Sequence, residues 1–375
     1  MWHPPPLDHL TALSDDTGIV QHATRDVPNR STGYCTDDVS RAFIVACLAA
    51  AHPAQRAEAV RLGRVYLSFL HDAQTPDGRF HNFMAFDRTW LDESGSEDSF
   101  GRALWALGVG VHTAPLESWR SICDDLIANA LPVVETLTHI RARAYAALGL
   151  SMAYEAAPTA RLSLARALRG LGDGLKADYE AARADDWEWF ETGLTYDNAR
   201  LPEAMLRIGM ALNDGELIEI GLRTLGFYES LVVEDRIFVP IGNAGWYERG
   251  GRRARFGQQP LEAASLVDVA LVALAVTGDQ RYRRLAETGL EWFYGRNSRN
   301  VVMATGGGCY DGLEELGVNR NMGAESTLVS RRRISLGAPG RRGSTHRPIG
   351  RPSLANPLRD RDATRRSGLQ FVRSL

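Results

Sequence analysis

Apolar residues recur along most of the chain at helical spacing, in two alternating styles. One style is rich in small residues and apolar on nearly every side: 39–51, 100–110, 140–154, 199–212 and 261–276. The other sets regular Arg and Glu against one apolar stripe: 53–73, 116–131, 159–182, 214–230 and 279–295. A helix that is apolar all round belongs in a core, and one with a charged face belongs at a surface. The alternation therefore predicts five buried–exposed helical hairpins, and a sixth begins at NMGAESTLVS (321–330). Most breaks carry Gly, Pro, Asp or Asn, as helix ends should. RIFVPI (236–241) is an exception and reads as a strand inside a loop.

The buried members begin near residues 37, 97, 139, 197, 260 and 322, a loose repeat too long for a tetratricopeptide or HEAT unit. Six inner helices ringed by outer ones make an all-α (α/α)6 toroid; an open solenoid is the alternative. The closed ring is favoured because the loops entering the inner helices are long and rich in Trp, Asp and Gly, and long loops in a compact domain are usually functional. In such a ring the inner-helix N-termini converge on one face.

Four inner helices begin alike: GYCTDDVSRAFIVA (33–46), GSEDSFGRALWALG (95–108), GLTYDNARLPEAML (193–206) and NRNMGAESTL (319–328). The first three are expected to place Asp38, Asp98 and Asp197 in the first turn, with Arg41, Arg102 and Arg200 three or four residues on. The fourth carries Glu325. Thr36, Ser96 and Thr195 are good N-caps, and first-turn carboxylates favour the helix dipole. Capping alone accounts for any one of these acids. The doublets Asp37-Asp38 and Glu97-Asp98 supply one carboxylate more than a cap needs, so the spare ones are expected to line an acidic cup.

The loops add ligand-like chemistry. TPDGRFHNFMAFDRTWLDESGSED (75–98) holds His81, Asn82 and Trp90, and DDWEWFETGLTYDN (185–198) sets Trp189 and Tyr196 near Glu191. An aromatic face stacks on sugar C–H bonds while a carboxylate takes hydroxyls; the competing reading is that these rings are core plugs. His139, at an inner-helix start, reads as structural.

Charge narrows the partners. Of 43 basic and 46 acidic residues, residues 331–375 hold 12 Arg and two Asp, so the first 330 carry 31 basic against 44 acidic. An acidic body argues against a nucleic-acid groove. No apolar run approaches the ~20 residues of a membrane span, and MWHPPPLDHL is too polar for a signal peptide, so the expected location is cytoplasmic. The scattered Cys35, Cys47, Cys123 and Cys309 suggest reduced thiols rather than a disulfide framework or zinc site. ATGGGCYDG (304–312) lacks the Gly-Lys-Ser/Thr of a phosphate loop and reads as a turn. No metal or cofactor is expected.

These stretches, with LSDDTGIVQHA, DGRFHNFMAFDRTWLDESGSEDSFGRALWALG, WFETGLTYDNARLPEA and CYDGLEELGVNRNMGAESTL, carry a resemblance over residues 7 to about 330. The chain resembles the six-hairpin (α/α)6 glycosidase superfamily, and within it a bacterial group found beside, or fused to, group 1 glycosyltransferases. The group's first motif usually reads DDNARA; here it is Asp37-Asp38-Val39-Ser40-Arg41-Ala42. After GAESTL the group continues with an apolar helix that completes the sixth hairpin. Here an Arg/Pro/Gly-rich stretch follows, so 1–330 is expected to form the toroid with an incomplete sixth hairpin, and 331–375 a frame-shifted or disordered basic tail.

The resemblance implies a glycoside hydrolase with paired carboxylates and an oligosaccharide or other glycan substrate, with a glycosyltransferase as partner. The expected pair is Asp98 with Asp197 or Glu191, acid and base unassigned. Asp38 and Glu325 are expected to take sugar hydroxyls, with His81, Asn82, Trp90, Trp189 and Tyr196 around them. A non-catalytic carbohydrate-binding module is the alternative. A sugar epimerase of the same fold, which would rely on histidines, ranks last.

Overall fold

A computed structural model describes residues 6–156 and 160–334, the last four by backbone alone. Residues 335–375, which hold most of the expected basic tail, lie outside the described residues. Twelve α-helices run through the described part. They are α1 Asp8–Leu13, α2 Thr36–Ala49, α3 Arg56–Ala73, α4 Glu97–Thr113, α5 Glu117–Val134, α6 Ile140–Ala156, α7 Arg161–Ala182, α8 Arg200–Leu212, α9 Gly215–Val232, α10 Pro260–Thr277, α11 Gln280–Phe293 and α12 Ala324–Ile334.

The even-numbered helices form the inner ring. Each packs on the next, from α2 through α4, α6, α8 and α10 to α12, and α12 packs back on α2. The outer helices α3, α5, α7, α9 and α11 pair antiparallel with the inner helices before them. The inner ring is thus closed, as the sequence favours over an open solenoid. What remains incomplete among the described residues is the outer layer: no helix follows α12 there, and the short α1 packs beside it.

Small residues let the inner helices approach closely. Along the α4–α6 seam a Cβ on Gly101 would meet the Ala142 carbonyl oxygen at 2.5 Å, and one on Gly108 or Gly149 would strike the facing backbone. α10 is apolar on nearly every side apart from Glu262 and Asp268, begins with Pro at its first turn and ends at Gly278 in the left-handed region (φ 71°). By length and composition it could cross a membrane, but most of it is buried in the ring. The outer α3 and α11 bury one stripe, as their charge patterns require. All four cysteines are buried and free.

Long connections lie at one end of the ring, entering the inner helices at 74–96, 183–199, 233–259 and 294–323; the opposite end has short turns such as 213–214 and 278–279. Among the described residues, these loops and the 14–35 connection contain six two-stranded antiparallel ribbons, among them Val233–Glu234 with Ile237–Phe238, the second strand falling inside the expected one. ATGGGCYDG folds as a hairpin, Ala304–Thr305 against Gly308–Cys309, turning at Gly306 and Gly307.

Candidate functional site

Capping and site-building are divided among neighbouring residues at the inner-helix starts. Ser96 caps α4 by accepting from the Ser99 N–H at 3.1 Å. Glu97 caps the adjacent α6: it accepts from the backbone N–H of Thr138 and His139, each at 2.7 Å, and from the Thr138 hydroxyl at 2.9 Å. Asp98 accepts from the Tyr196 hydroxyl. At α2 the cap is Cys35 rather than Thr36; its Sγ accepts from the Asp38 N–H at 3.4 Å and donates to Asp38 Oδ2 at 3.1 Å. Thr36 instead donates to the His81 carbonyl at 2.5 Å. Thr195 does not cap α8, which begins only at Arg200. Asp197 therefore lies before the helix, in the left-handed region (φ 48°), which Asp tolerates better than most residues.

Beneath these starts runs a buried ionic chain. Arg41 pairs with Glu325 at 2.6 Å, Asp37 at 2.8 Å and Asp38 at 3.2 Å. Arg102 links Asp37 at 2.6 Å to Asp197 at 3.0 Å, with the Tyr145 hydroxyl between them. Arg200 continues from Asp197 at 3.3 Å to Asp268 at 2.7 Å and Glu203 at 2.5 Å. Glu262 accepts from the Asp197 N–H and from the Tyr228 hydroxyl at 3.2 Å. Each buried guanidinium must be matched, because an unpaired buried charge costs several kcal/mol.

Burial sets the protonation of this chain. Desolvation, against the pull of Arg41 and with help from the charges of Asp37 and Glu325, pushes Asp38 up to about 7. Desolvation and the neighbouring Asp197 push Glu262 up to about 7 as well. Burial would raise Asp197 too, but Arg200, Arg102 and the Tyr145 hydroxyl outweigh it and hold that carboxyl below its ordinary value. Burial keeps the Cys35 thiol well above its usual range, so it acts as a neutral donor.

Two polar cavities open at this end. The first, about 280 Å³, is lined by Cys35, Asp37 and Asp38 from the start of α2 and by Glu325 and Ser326 from α12. Asp311 and Glu314 add carboxylates to it, and Gln21, Asn243, Gln259 and Asn319 add amides. The second, about 440 Å³, is lined by His139, Arg141, Glu191 and Tyr196 among others. There Arg141 pairs with Glu191 at 2.8 Å and donates to the Tyr196 carbonyl at 2.6 Å.

The expected site residues divide accordingly. Asp38 and Glu325 share the first cavity. Glu191 and Tyr196 share the second, with Asp98 bonded to Tyr196. Two expectations are corrected. Asp197 is 0% exposed and clamped by two guanidiniums, so no face of it is open to a ligand in this structure. Trp189, also 0% exposed, packs against Phe190, Phe227 and Tyr228 as a core plug. His81 stacks on Trp90 at 4.8 Å and bonds the Asp92 carbonyl at 2.7 Å; these two and Asn82 brace the 75–98 loop and line neither cavity. Sequence reasoning missed Glu262, Arg141 and Tyr145. Glu262 stands at the third position of α10, as Asp38 does on α2, but its start, QQPLEA, lacks the acidic doublet.

By sequence, no family model matches the chain, and neither does any curated protein. By structure it is similar to a sugar epimerase from a ruminal bacterium (TM-score 0.66, 11% identity, 88% of this chain and 95% of that one). It is also similar to cellobiose 2-epimerase from Bacillus thermoamylovorans (TM-score 0.64, 13% identity, 87% and 96%). A third likeness is to a GH76 α-mannanase from Bacteroides thetaiotaomicron (TM-score 0.59, 10% identity, 87% and 92%). At such identities the likeness is one of fold: the chain carries an (α/α)6 toroid, as these proteins do.

Proposed function

We propose that the chain acts on carbohydrate, as a glycoside hydrolase whose reacting sugar sits in the 280 Å³ acidic cavity. The observation that carries this reading is Asp38: a carboxyl pushed up to about 7, in a cavity that also holds Glu325. A general acid works best when its pKa lies near the operating pH, and glycoside hydrolysis needs one protonated and one ionised carboxyl about the bond. Asp38 protonates the leaving oxygen. Glu325, the more exposed of the two and oriented by Arg41, activates water or attacks the anomeric carbon. The surrounding amides and carboxylates suit a neutral, hydroxyl-rich ligand.

The fold neighbours support a carbohydrate substrate and include both glycosidases and epimerases. A sugar epimerase is therefore the second reading. It needs a base that removes a C–H proton, and His22 is the histidine lining the acidic cavity. The test is a panel of gluco- and manno-oligosaccharides followed by NMR with wild-type, D38N and E325Q chains. Hydrolysis releases new reducing ends, whereas epimerisation changes the sugar without cleaving it. Cleavage that D38N and E325Q abolish supports the proposal. Epimer formation that H22N abolishes replaces it with the second reading. Binding without turnover by the wild type reduces it to a binding module.

A further inference from the structure

The ribbon between the first inner helix and the 75–98 loop pairs Cys35 directly with Phe83 and Tyr34 with Met84. Directly opposed residues of an antiparallel pair project to the same side, and successive residues alternate. Tyr34 and Met84 point into the core, 1% and 4% exposed. Cys35 points the other way, onto Asp38 and into the acidic cavity. Phe83 therefore stands on the cavity side of the ribbon, outside the cavity's own lining, with 41% of its surface in solvent.

The backbone beneath this ring is held firmly. The Asp92 carboxylate accepts from the N–H of Phe83 at 2.8 Å and of Asn82 at 3.0 Å. The Leu91 N–H donates to the Phe83 carbonyl at 2.9 Å, and the Thr36 N–H to the Asn82 carbonyl at 2.8 Å. Gly33, in the left-handed region (φ 63°), lies so close to the Met84 carbonyl that any side chain would part the strands. An aromatic ring on so fixed a backbone loses little conformational freedom when a ligand stacks on it. A phenylalanine has no polar handle, so its exposed face is suited to C–H bonds. Phe86 is equally exposed at 42% but is already in use, stacked on Tyr34 at 6.0 Å with Arg30 at 5.7 Å from its ring centre.

We propose that Phe83 is a stacking platform for the second sugar of a substrate whose first sugar fills the acidic cavity, so that the site takes oligosaccharides in preference to monosaccharides. This rests on the carbohydrate reading of that cavity. Binding is measured by calorimetry for wild-type, F83A, F83W and F86A chains with glucose, cellobiose and cellotetraose and with mannose and mannotetraose. F83A is expected to weaken oligosaccharide binding roughly five- to tenfold, the scale of one lost aromatic stack. It should leave monosaccharide binding within about twofold, with F83W restoring affinity and F86A matching wild type. Oligosaccharide affinities equal in F83A and wild type overturn the platform and leave the cavity reading intact. Equal losses for mono- and oligosaccharides also overturn it. A wild-type chain that binds none of these sugars overturns both.

Discussion

Replacing Asp38 with Asn removes the one carboxyl in the acidic cavity that burial pushes up to about 7 from an ordinary 3.8. The unfolded chain releases this proton near 4, whereas the folded chain holds it to about 7. Folding is therefore progressively opposed as pH rises through that window, and the accumulated penalty stays constant above it. Three units at 1.36 kcal/mol each is roughly 4 kcal/mol, or about 1.4 kcal/mol per pH unit. Asn does not titrate. The Arg41 attraction is already contained in that pKa, exchanging a protonated carboxyl for an amide adds an offset independent of pH, and Glu262, also pushed up to about 7, titrates in both chains and cancels. The assay is urea unfolding of wild-type and D38N chains by tryptophan fluorescence at pH 5, 6, 7 and 8 and constant ionic strength. The stability difference should move in favour of D38N by roughly 2 kcal/mol in all from pH 5 to 7, flattening as the folded pKa is reached, and level off by pH 8. A difference that stays constant over the series would refute the assignment of a buried, protonated Asp38.

Other substitutions probe the ring itself. G149A drives a methyl into the Leu104 carbonyl across the α4–α6 seam and should cost about 3 kcal/mol in thermal unfolding, whereas G170A, mid-α7 with nothing near it, should stabilise by about 0.5–1 kcal/mol. R102A leaves Asp37 and Asp197 without their shared guanidinium and should cost about 3–5 kcal/mol in urea unfolding; a neutral result would dissolve the ionic chain as a structural unit. W189A should lower stability by about 3–5 kcal/mol yet leave oligosaccharide affinity unchanged at a temperature where it is folded, and a selective loss of affinity would return Trp189 to the binding surface.

The helices were legible because their periodicity answers directly to burial: 140–154 and 214–230 are apolar on all sides or on one stripe, and α6 and α9 fall there. The acidic starts of α2, α4 and α12 were equally plain, and Asp38 and Glu325 do meet in one cavity. Direction was not legible. Arg102 sits four residues after Asp98, but it reaches sideways to Asp37 of α2 and to Asp197 before α8, because the ring brings those starts nearer than the turn above. Exposure of aromatics was no easier to read. Trp189 and Phe83 both lie in loops rich in acids and turns. Only the pairing of Phe83 with Cys35, and the packing of Trp189 under α9, separates an outward ring from a buried one.

Arg41 and Glu325 stand 284 positions apart, and apart from Asn243 and Gln259 the acidic cavity draws its lining from the early segment Gln21–Asp38 and the late segment Asp311–Ser326. During synthesis at about 5–20 residues per second, the first inner helix, whose arginine has Asp37 and Asp38 beside it from the start, waits roughly 15–60 s for the third carboxylate, Glu325. The pocket has no precursor on the shorter nascent chain and appears only when translation passes Ser326. A ligand that fits it can therefore stabilise only finished rings, and its binding would serve as a count of the chains that have closed.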